Sequence, residues 1–335
     1  MNRLGDPSSV TAFGVAVDMG ASHIRFVLAN ERSEVLGEIR DRVMAHGGPD
    51  GIVSQIREGI ERLLAPVRDR EGFRGIAIGV PSAVDPKTGR IVDANNVPGC
   101  RDVDLGLAIE KYFDAPVYLD NDANMAALGE RWRGVARGID NLVFVALGTG
   151  VGAGLILNGR ICRGRTGAAG EIFRMNLEWP RWQEEFPDTG YFERYVSGMG
   201  LAMEGHQALP HGNGTRPVGP ADDRDARFVF EAMERGDAAA ETLIDRCFTM
   251  LGVGVANLIS VLDPEMIVFN GGLVRGAPEK MLAKIDRVVR RIHPNPPPIK
   301  TSSLGDRAQI WGAVYTLLHP EEQAVIRAVE MAPGP

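Results

Sequence analysis

A two-domain α/β fold follows from three features of the sequence. Short apolar runs bounded by turn residues alternate with stretches of helical periodicity, as a sheet layered with helices requires. Two apolar hairpins, one around Asp18 and one around Gly148, share a tip of small residues, which suggests an internal structural duplication. At 335 residues the chain is too long for one small core and suits two domains.

Taken in order, residues 13–18 read as a strand, 19–22 as a turn and 23–28 as a second strand. Asp50 is expected to cap a helix whose apolar positions are Ile52, Ile56, Ile60, Leu63 and Leu64, and Pro66 ends it. A buried strand over 75–80 leads into Pro81-Ser82, and 91–100 reads as a polar loop. A helix over 104–113 and a short strand over 117–119 deliver Asp120-Asn121-Asp122, after which 123–132 is helical. Strands at 142–147 and 155–157 flank the alternating glycines Gly148, Gly150, Gly152 and Gly154, and Asn158-Gly159 is a tight-turn signal. Residues 171–225 read as irregular. Helices are expected near 225–235 and over 238–262, a strand over 265–269 closing on Asn270-Gly271-Gly272, and helices over 278–292 and 306–318, separated by the proline-rich 294–298.

Composition bounds the function. Hydrophobic residues make up 44% and charged residues 24%, ordinary values for a soluble globular protein. A formal net charge of −7 argues against non-specific nucleic-acid binding. The 3 cysteines, Cys100, Cys162 and Cys247, form no CxxC and read as reduced thiols of a cytoplasmic protein. The N-terminus has no apolar signal core, and Glu241, Asp245 and Arg246 argue against a membrane span in 238–262. The 6 histidines show no ligand spacing.

The glycine stretch admits three readings. Gly148, Gly150 and Ala153 match a dinucleotide fingerprint, but a strand follows them where that fold needs a helix. A P-loop needs Gly-Lys, which the chain lacks. The third reading is an ordinary hairpin of small residues. Beside it stand Asp18 at a strand end next to a Gly-Ser turn, Asn121-Asp122 between strand and helix, Gly271-Gly272 closing another strand, and Glu171 and Glu193 around the irregular region. Glycines suit phosphates, one carboxylate suits hydrated Mg²⁺, and a carboxylate beside Asn suits a hydroxyl-rich substrate. Together these are the parts for phosphoryl transfer to an alcohol. Each has a plainer reading: Asp18 as a turn cap, Asp122 as a helix N-cap, Glu171 and Glu193 as surface charges.

These motifs resemble those of the ROK sugar kinases, within the actin-like ATPase (ribonuclease H-like) fold. The resemblance rests on Asp18-Met-Gly20-Ala-Ser22, Asn121-Asp-Ala-Asn124, Gly148-Thr-Gly-Val-Gly-Ala-Gly154, Asn158-Gly-Arg160, Gly167-Ala-Ala-Gly-Glu171 and Glu193-Arg-Tyr-Val-Ser-Gly198, in family order along nearly the whole chain. It implies two domains, 1–121 with about 305–335 and 122–304, with a cleft between them. It implies Asp122 as general base, and Asn96, Asn121, Glu171 and Glu193 as ligands of sugar hydroxyls. Asp18 would hold Mg²⁺ with ATP. Gly20, Ser22, Gly148, Thr149, Gly150 and Gly152 would hold phosphates, and Gly271 and Gly272 would line the adenosine pocket. The implied activity is ATP-dependent phosphorylation of a hexose, glucose first, by a cytoplasmic homodimer that binds no nucleic acid and no membrane. Mannose, fructose, allose, an N-acetylhexosamine or a kanosamine-type amino sugar are alternative substrates, and polyphosphate is an alternative donor. The family also holds sugar-responsive repressors with an N-terminal helix-turn-helix, for which the expected first strand at Phe13 leaves no room.

The chain departs from the family at its structural zinc site. Residues 171–198 contain no Cys and no His, so no structural zinc is expected. The aromatic residues Trp179, Trp182, Phe186, Tyr191 and Phe192 are expected to stabilise this lobe instead. Cys100 stands in the expected sugar loop, where the family often has Trp.

Overall fold

The computed structural model describes residues 12–20, 23–44, 48–67, 71–93, 104–181, 190–209, 225–320 and 326–327. By its internal contacts the chain divides into two compact units, one of residues 1–138, 154–169 and 306–335, the other of 139–153 and 170–305. The helix that follows Asp122 belongs to the first of these, not to the second as the boundary expected at 122 implied.

The first unit opens with β1 (Phe13–Met19), β2 (His23–Asn30) and β3 (Val35–Arg42), followed by α1 (Gly48–Leu64) and β4 (Phe73–Val80). The short pair β5 (Ala83–Val84) and β6 (Ile91–Asp93), α2 (Leu105–Phe113), β7 (Val117–Asn121) and α3 (Asp122–Arg133) come next. The second unit contributes β8 (Leu142–Leu147), and β9 (Val151–Leu157) with β10 (Arg160–Ile161) carries the chain back to the first. Then come α4 (Glu193–Val196), α5 (Gly198–Ala208), α6 (Arg227–Glu234), α7 (Ala238–Leu262), β11 (Met266–Asn270), α8 (Gly272–Gly276), α9 (Pro278–Val289) and β12 (Ile299–Thr301). The chain closes with α10 (Ala308–Leu318) and β13 (Ile326–Arg327) in the first unit.

The duplication suggested by the hairpins is visible in the strand orders. One sheet runs β13-β7-β4-β1-β2-β3, the other β10-β9-β8-β11-β12. Leaving out β13, the two have the same order read from opposite ends. In each, the first strand of a hairpin (β1, β8) pairs in parallel with a later strand (β4, β11), which pairs in parallel with the next (β7, β12).

In the first sheet, alternation separates two cores. Val15, Val17, Ile24, Phe26, Ile76 and Ile78 pack with Ile52, Ile56 and Ile60 of α1. Ala16, Val27, Ala29 and Ala77 face Met125 of α3 and Ile310, Ala313, Val314 and Leu317 of α10. In the second sheet, Leu142–Phe144 and Ile267–Phe269 are buried without alternation, as central strands covered on both faces require.

Three differences from the sequence reading have local causes. α1 begins at Gly48, so Asp50 lies inside its first turn, where its charge suits the helix N-terminus, and is not the cap. β3 was not expected. It is an edge strand with exposed Glu38, Arg40 and Arg42, polar positions that hide its strand character and protect the edge from pairing. α5 lies in the stretch read as irregular, because its glycines and small residues carry little apolar periodicity.

α7 is long and apolar enough by length and composition to cross a membrane. In this fold it packs against α9 and α6, and Leu243, Ile244, Phe248 and Leu251 are buried. Burial pushes the Cys247 thiol on this helix up to about 12. Cys247 is therefore expected to react with iodoacetamide about 10³-fold more slowly in the native protein than after denaturation. Peptide mass spectrometry checks this; native labelling as fast as in denaturant would contradict it.

Candidate active site

The first unit gathers its candidate residues at the carboxyl ends of its parallel strands, the edge where open α/β sheets bind ligands. Asp18 is the penultimate residue of β1, opposite Arg25 on β2 and Gly79 on β4. Burial pushes its carboxyl up to about 6; the Arg25 guanidinium opposes the rise, Asp306 adds to it and Arg40 opposes it. With the amide of Gln309 turned so that its nitrogen faces Asp18, Gln309 donates to Oδ1 at 2.8 Å and Oδ2 at 3.1 Å. Gln309, at the start of α10, was not singled out from the sequence. It is 291 positions from Asp18 and belongs to no motif. Gly20 begins the hairpin turn, its N–H donating to the His23 carbonyl at 2.9 Å. Ser22 and Asn96 lie outside the described residues.

At the end of β7 the work is divided between neighbours. Asn121 is the N-cap of α3: its Oδ1 accepts from the amides of Ala123 at 2.8 Å and Asn124 at 3.3 Å. Its Nδ2 donates to the Ser82 carbonyl at 3.2 Å. The alternative in which Asp122 is the cap is thereby corrected. Asp122 occupies the first helical position, where its Oδ1 accepts from Ala123 N at 2.7 Å and the helix N-terminus favours its negative charge. Asn121 serves the backbone through both ends of its amide, more than a pure sugar ligand would.

Behind this turn is a polar group that sequence reasoning missed. Asp120 is 2% exposed. Its Oδ1 accepts from Asn121 N at 2.8 Å and Asn124 Nδ2 at 2.7 Å. Its Oδ2 accepts from Arg163 Nε at 2.9 Å and Arg163 Nη2 at 2.7 Å. The available signal was a carboxylate in an otherwise apolar strand, which when buried needs a partner.

In the second unit, β8 and β11 are parallel and end at the two glycine turns. Gly148 N donates to the Gly150 carbonyl at 3.0 Å, and Thr149 is exposed at the tip. The space where a Cβ would sit is open at Gly148 and at Gly152. The turn is anchored by α5, whose Gly198 and Met199 amides donate to the Gly148 and Thr149 carbonyls at 2.9 and 3.0 Å. Otherwise unpartnered donors of a helix start thus brace the loop. Glu193 braces it from the other side, its Oε2 accepting from Val151 N at 2.8 Å. Burial raises the Glu193 carboxyl, against the lowering by the Val151 and Gly190 amides. Glu171 is half-buried at the head of a short 3-10 turn over Ile172–Arg174. Gly271 has φ 126°, and a Cβ there would strike the Leu147 carbonyl, so only glycine fits between the ends of β11 and β8. Gly272 opens α8.

Of the aromatic residues expected to stabilise the lobe, Phe192 is buried against Gly254 of α7, and Tyr191 is half-buried. Glu178, Arg181 and Tyr195 form a polar cluster beside them. Trp182, Phe186 and the Trp179 side chain lie outside the described residues. Among the described residues no group of three or more His, Cys, Asp or Glu comes together as a metal site.

Two sheets of common strand order, each with a small-residue hairpin at the carboxyl edge of its parallel strands, define a two-domain actin-like ATPase fold. The chain belongs to the ROK family, which its residues 14–319 match. It is 31% identical to a glucokinase of Halalkalibacterium halodurans over 272 residues, covering 77% of this chain and 80% of that protein. It is 27% identical to a putative xylose repressor of a Caldicellulosiruptor species, covering 91% of this chain and 77% of that protein. A ROK glucokinase of Streptomyces griseus, solved with glucose and AMPPNP, superposes with a TM-score of 0.71 at 26% identity, covering 90% of this chain and 98% of that one.

Proposed function

We propose that this protein is an ATP-dependent sugar kinase that transfers the γ-phosphoryl group to a hexose hydroxyl, with glucose to glucose 6-phosphate as the leading reaction. The observation that carries the reading is the division of labour at Asn121-Asp122. Asn121 caps α3, so that capping does not require the Asp122 carboxylate. Asp122 is then the general base, orienting the hydroxyl and accepting its proton. Because the transition state is loose, positioning is the larger part of that work. Asn96, Asn121, Glu171 and Glu193 are proposed to hold sugar hydroxyls.

The glycine turns suit the nucleotide. Gly20 and Ser22 with Gly148, Thr149, Gly150 and Gly152 would hold phosphates, and Gly271 and Gly272 the adenosine. Mg²⁺ fits Asp18. A hard cation carried by ATP needs only one or two protein carboxylates, and this one lies near the end of its strand, beside the turn proposed to hold phosphates. When bound, the ion neutralises charge on the phosphates.

The glucokinase relatives favour glucose. Relatives named N-acetyl-D-glucosamine kinase and beta-glucoside kinase support other hexoses and amino sugars as the alternative, and the xylose repressors support a sugar-responsive regulator without catalysis. An ADP-release assay over a sugar panel, with the sugar phosphate itself measured when polyphosphate replaces ATP, separates these. Sugar-dependent turnover is expected, fastest with glucose. Sugar binding without turnover on any member would replace the kinase with the regulator.

A further inference from the structure

We infer that Arg163 is a positioning residue for the Asn121-Asp122 turn, acting through Asp120; the inference rests on the kinase reading for its catalytic consequence. The Asp120 carboxylate accepts four hydrogen bonds, two per oxygen, from the Asn121 amide, the Asn124 side chain and two nitrogens of Arg163. Their side chains are 3% exposed for Asp120 and 9% for Arg163. A buried ion pair is a poor way to gain stability, since desolvation offsets most of the attraction and apolar residues of the same volume do as well or better. Such pairs are best explained by what they hold in register.

What this pair holds is specific. One Asp120 oxygen grips the backbone N–H of Asn121, the residue that caps α3, and the side chain of Asn124 in the first turn of the helix. The other oxygen is gripped by Arg163, which comes from the loop that follows β10. That loop is itself fixed: Ala169 N donates to the Arg163 carbonyl at 3.1 Å, Cys162 N donates to the Leu155 carbonyl at 2.8 Å, and Gly167 sits against the Val84 backbone. Arg163 therefore references the start of α3 to a second rigid segment of the same unit. Without it, Asp120 is a buried unpaired carboxylate, and the turn rotates or takes in water to solvate it. Asp122 is the first residue of α3, so it moves with the turn. A displacement of about 1 Å at a reacting group costs about 10²-fold in rate.

The test compares Arg163→Met, Arg163→Lys, Asp120→Asn and the double variant Asp120→Asn/Arg163→Met. Arg163→Met is expected to lower kcat by about 10–10²-fold with KM for ATP unchanged within about twofold. Arg163→Lys recovers part of the loss, because an ammonium restores the charge but not the two-nitrogen grip. The double variant removes the unpaired charge and so stays folded even where Arg163→Met does not, yet its kcat remains low. Amide exchange at Asn121, Ala123 and Asn124, measured on the same proteins, judges the positioning independently of turnover. Faster exchange confined to these amides supports the role. Wild-type kcat in the folded double variant, or exchange raised evenly across the first unit, overturns it. A wild-type protein that turns over no sugar removes the kinase reading instead, and the exchange data still decide whether Arg163 positions the turn.

Discussion

Asp122→Asn is expected to lower kcat by about 10²–10⁴-fold and to leave sugar binding nearly unchanged. The substitution is close to isosteric. An Asn side-chain oxygen still accepts from Ala123 N, as Asp122 Oδ1 does at 2.7 Å, and Asn121 still caps α3. Helix and turn are therefore preserved, and what disappears is the ability to take a proton and to orient the hydroxyl as an anion. A loose transition state places the effect toward the lower end of the range, because little proton transfer has occurred when the phosphoryl group is in flight. The measurement is kcat from ADP release beside glucose affinity from calorimetry. Turnover within about tenfold of wild type would remove Asp122 from the base role.

The second large effect is on stability. Gly312→Ala, a single added methyl, is expected to destabilise the first unit by about 2–4 kcal/mol, a large part of what holds a typical protein folded. α10 and α3 approach backbone to backbone. A Cβ at Gly312 would collide with the Met125 carbonyl, and one at Gly129 with the Ala308 carbonyl, so each helix uses a glycine where the other's main chain passes. Nothing flexible can yield there; the helices must separate, opening the contact made by Met125, Ile310, Ala313 and Val314. α3 begins at Asp122 and α10 carries Gln309, so the same shift disturbs both ends of the first unit's candidate site. Gly51→Ala in α1, where no atom lies within 4 Å of the added carbon, is the control and changes stability little or favourably. Equal thermal midpoints for the two variants would refute the close-packing argument.

Much of this protein is legible without coordinates, and the legible parts share a cause. β1, β4, β8 and β11 are central strands, and their burial on both faces demands unbroken apolar runs that local sequence displays. The residues at or just past their ends, Asp18, Gly148 and Gly271, stand out because turns at strand ends tolerate few residue types. The parts that escaped reading also share a cause. β3 is an edge strand with a polar exposed face, α5 is built from small residues, and the boundary near 122 depends on α3 packing on α10, which lies far along the chain.

The sequence by itself determined the α/β class, the duplicated hairpin plan, and which carboxylates and glycines are candidates, because secondary structure and turn chemistry act over a few residues. Only the tertiary structure decided which of Asn121 and Asp122 caps α3, that Gln309 meets Asp18, and that Arg163 neutralises Asp120. A hydrogen bond or ion pair depends on separation in space, and Asp120 and Arg163 are 43 positions apart in sequence. No periodicity or spacing rule records a pairing at that distance; folding the sheet and its loops creates it.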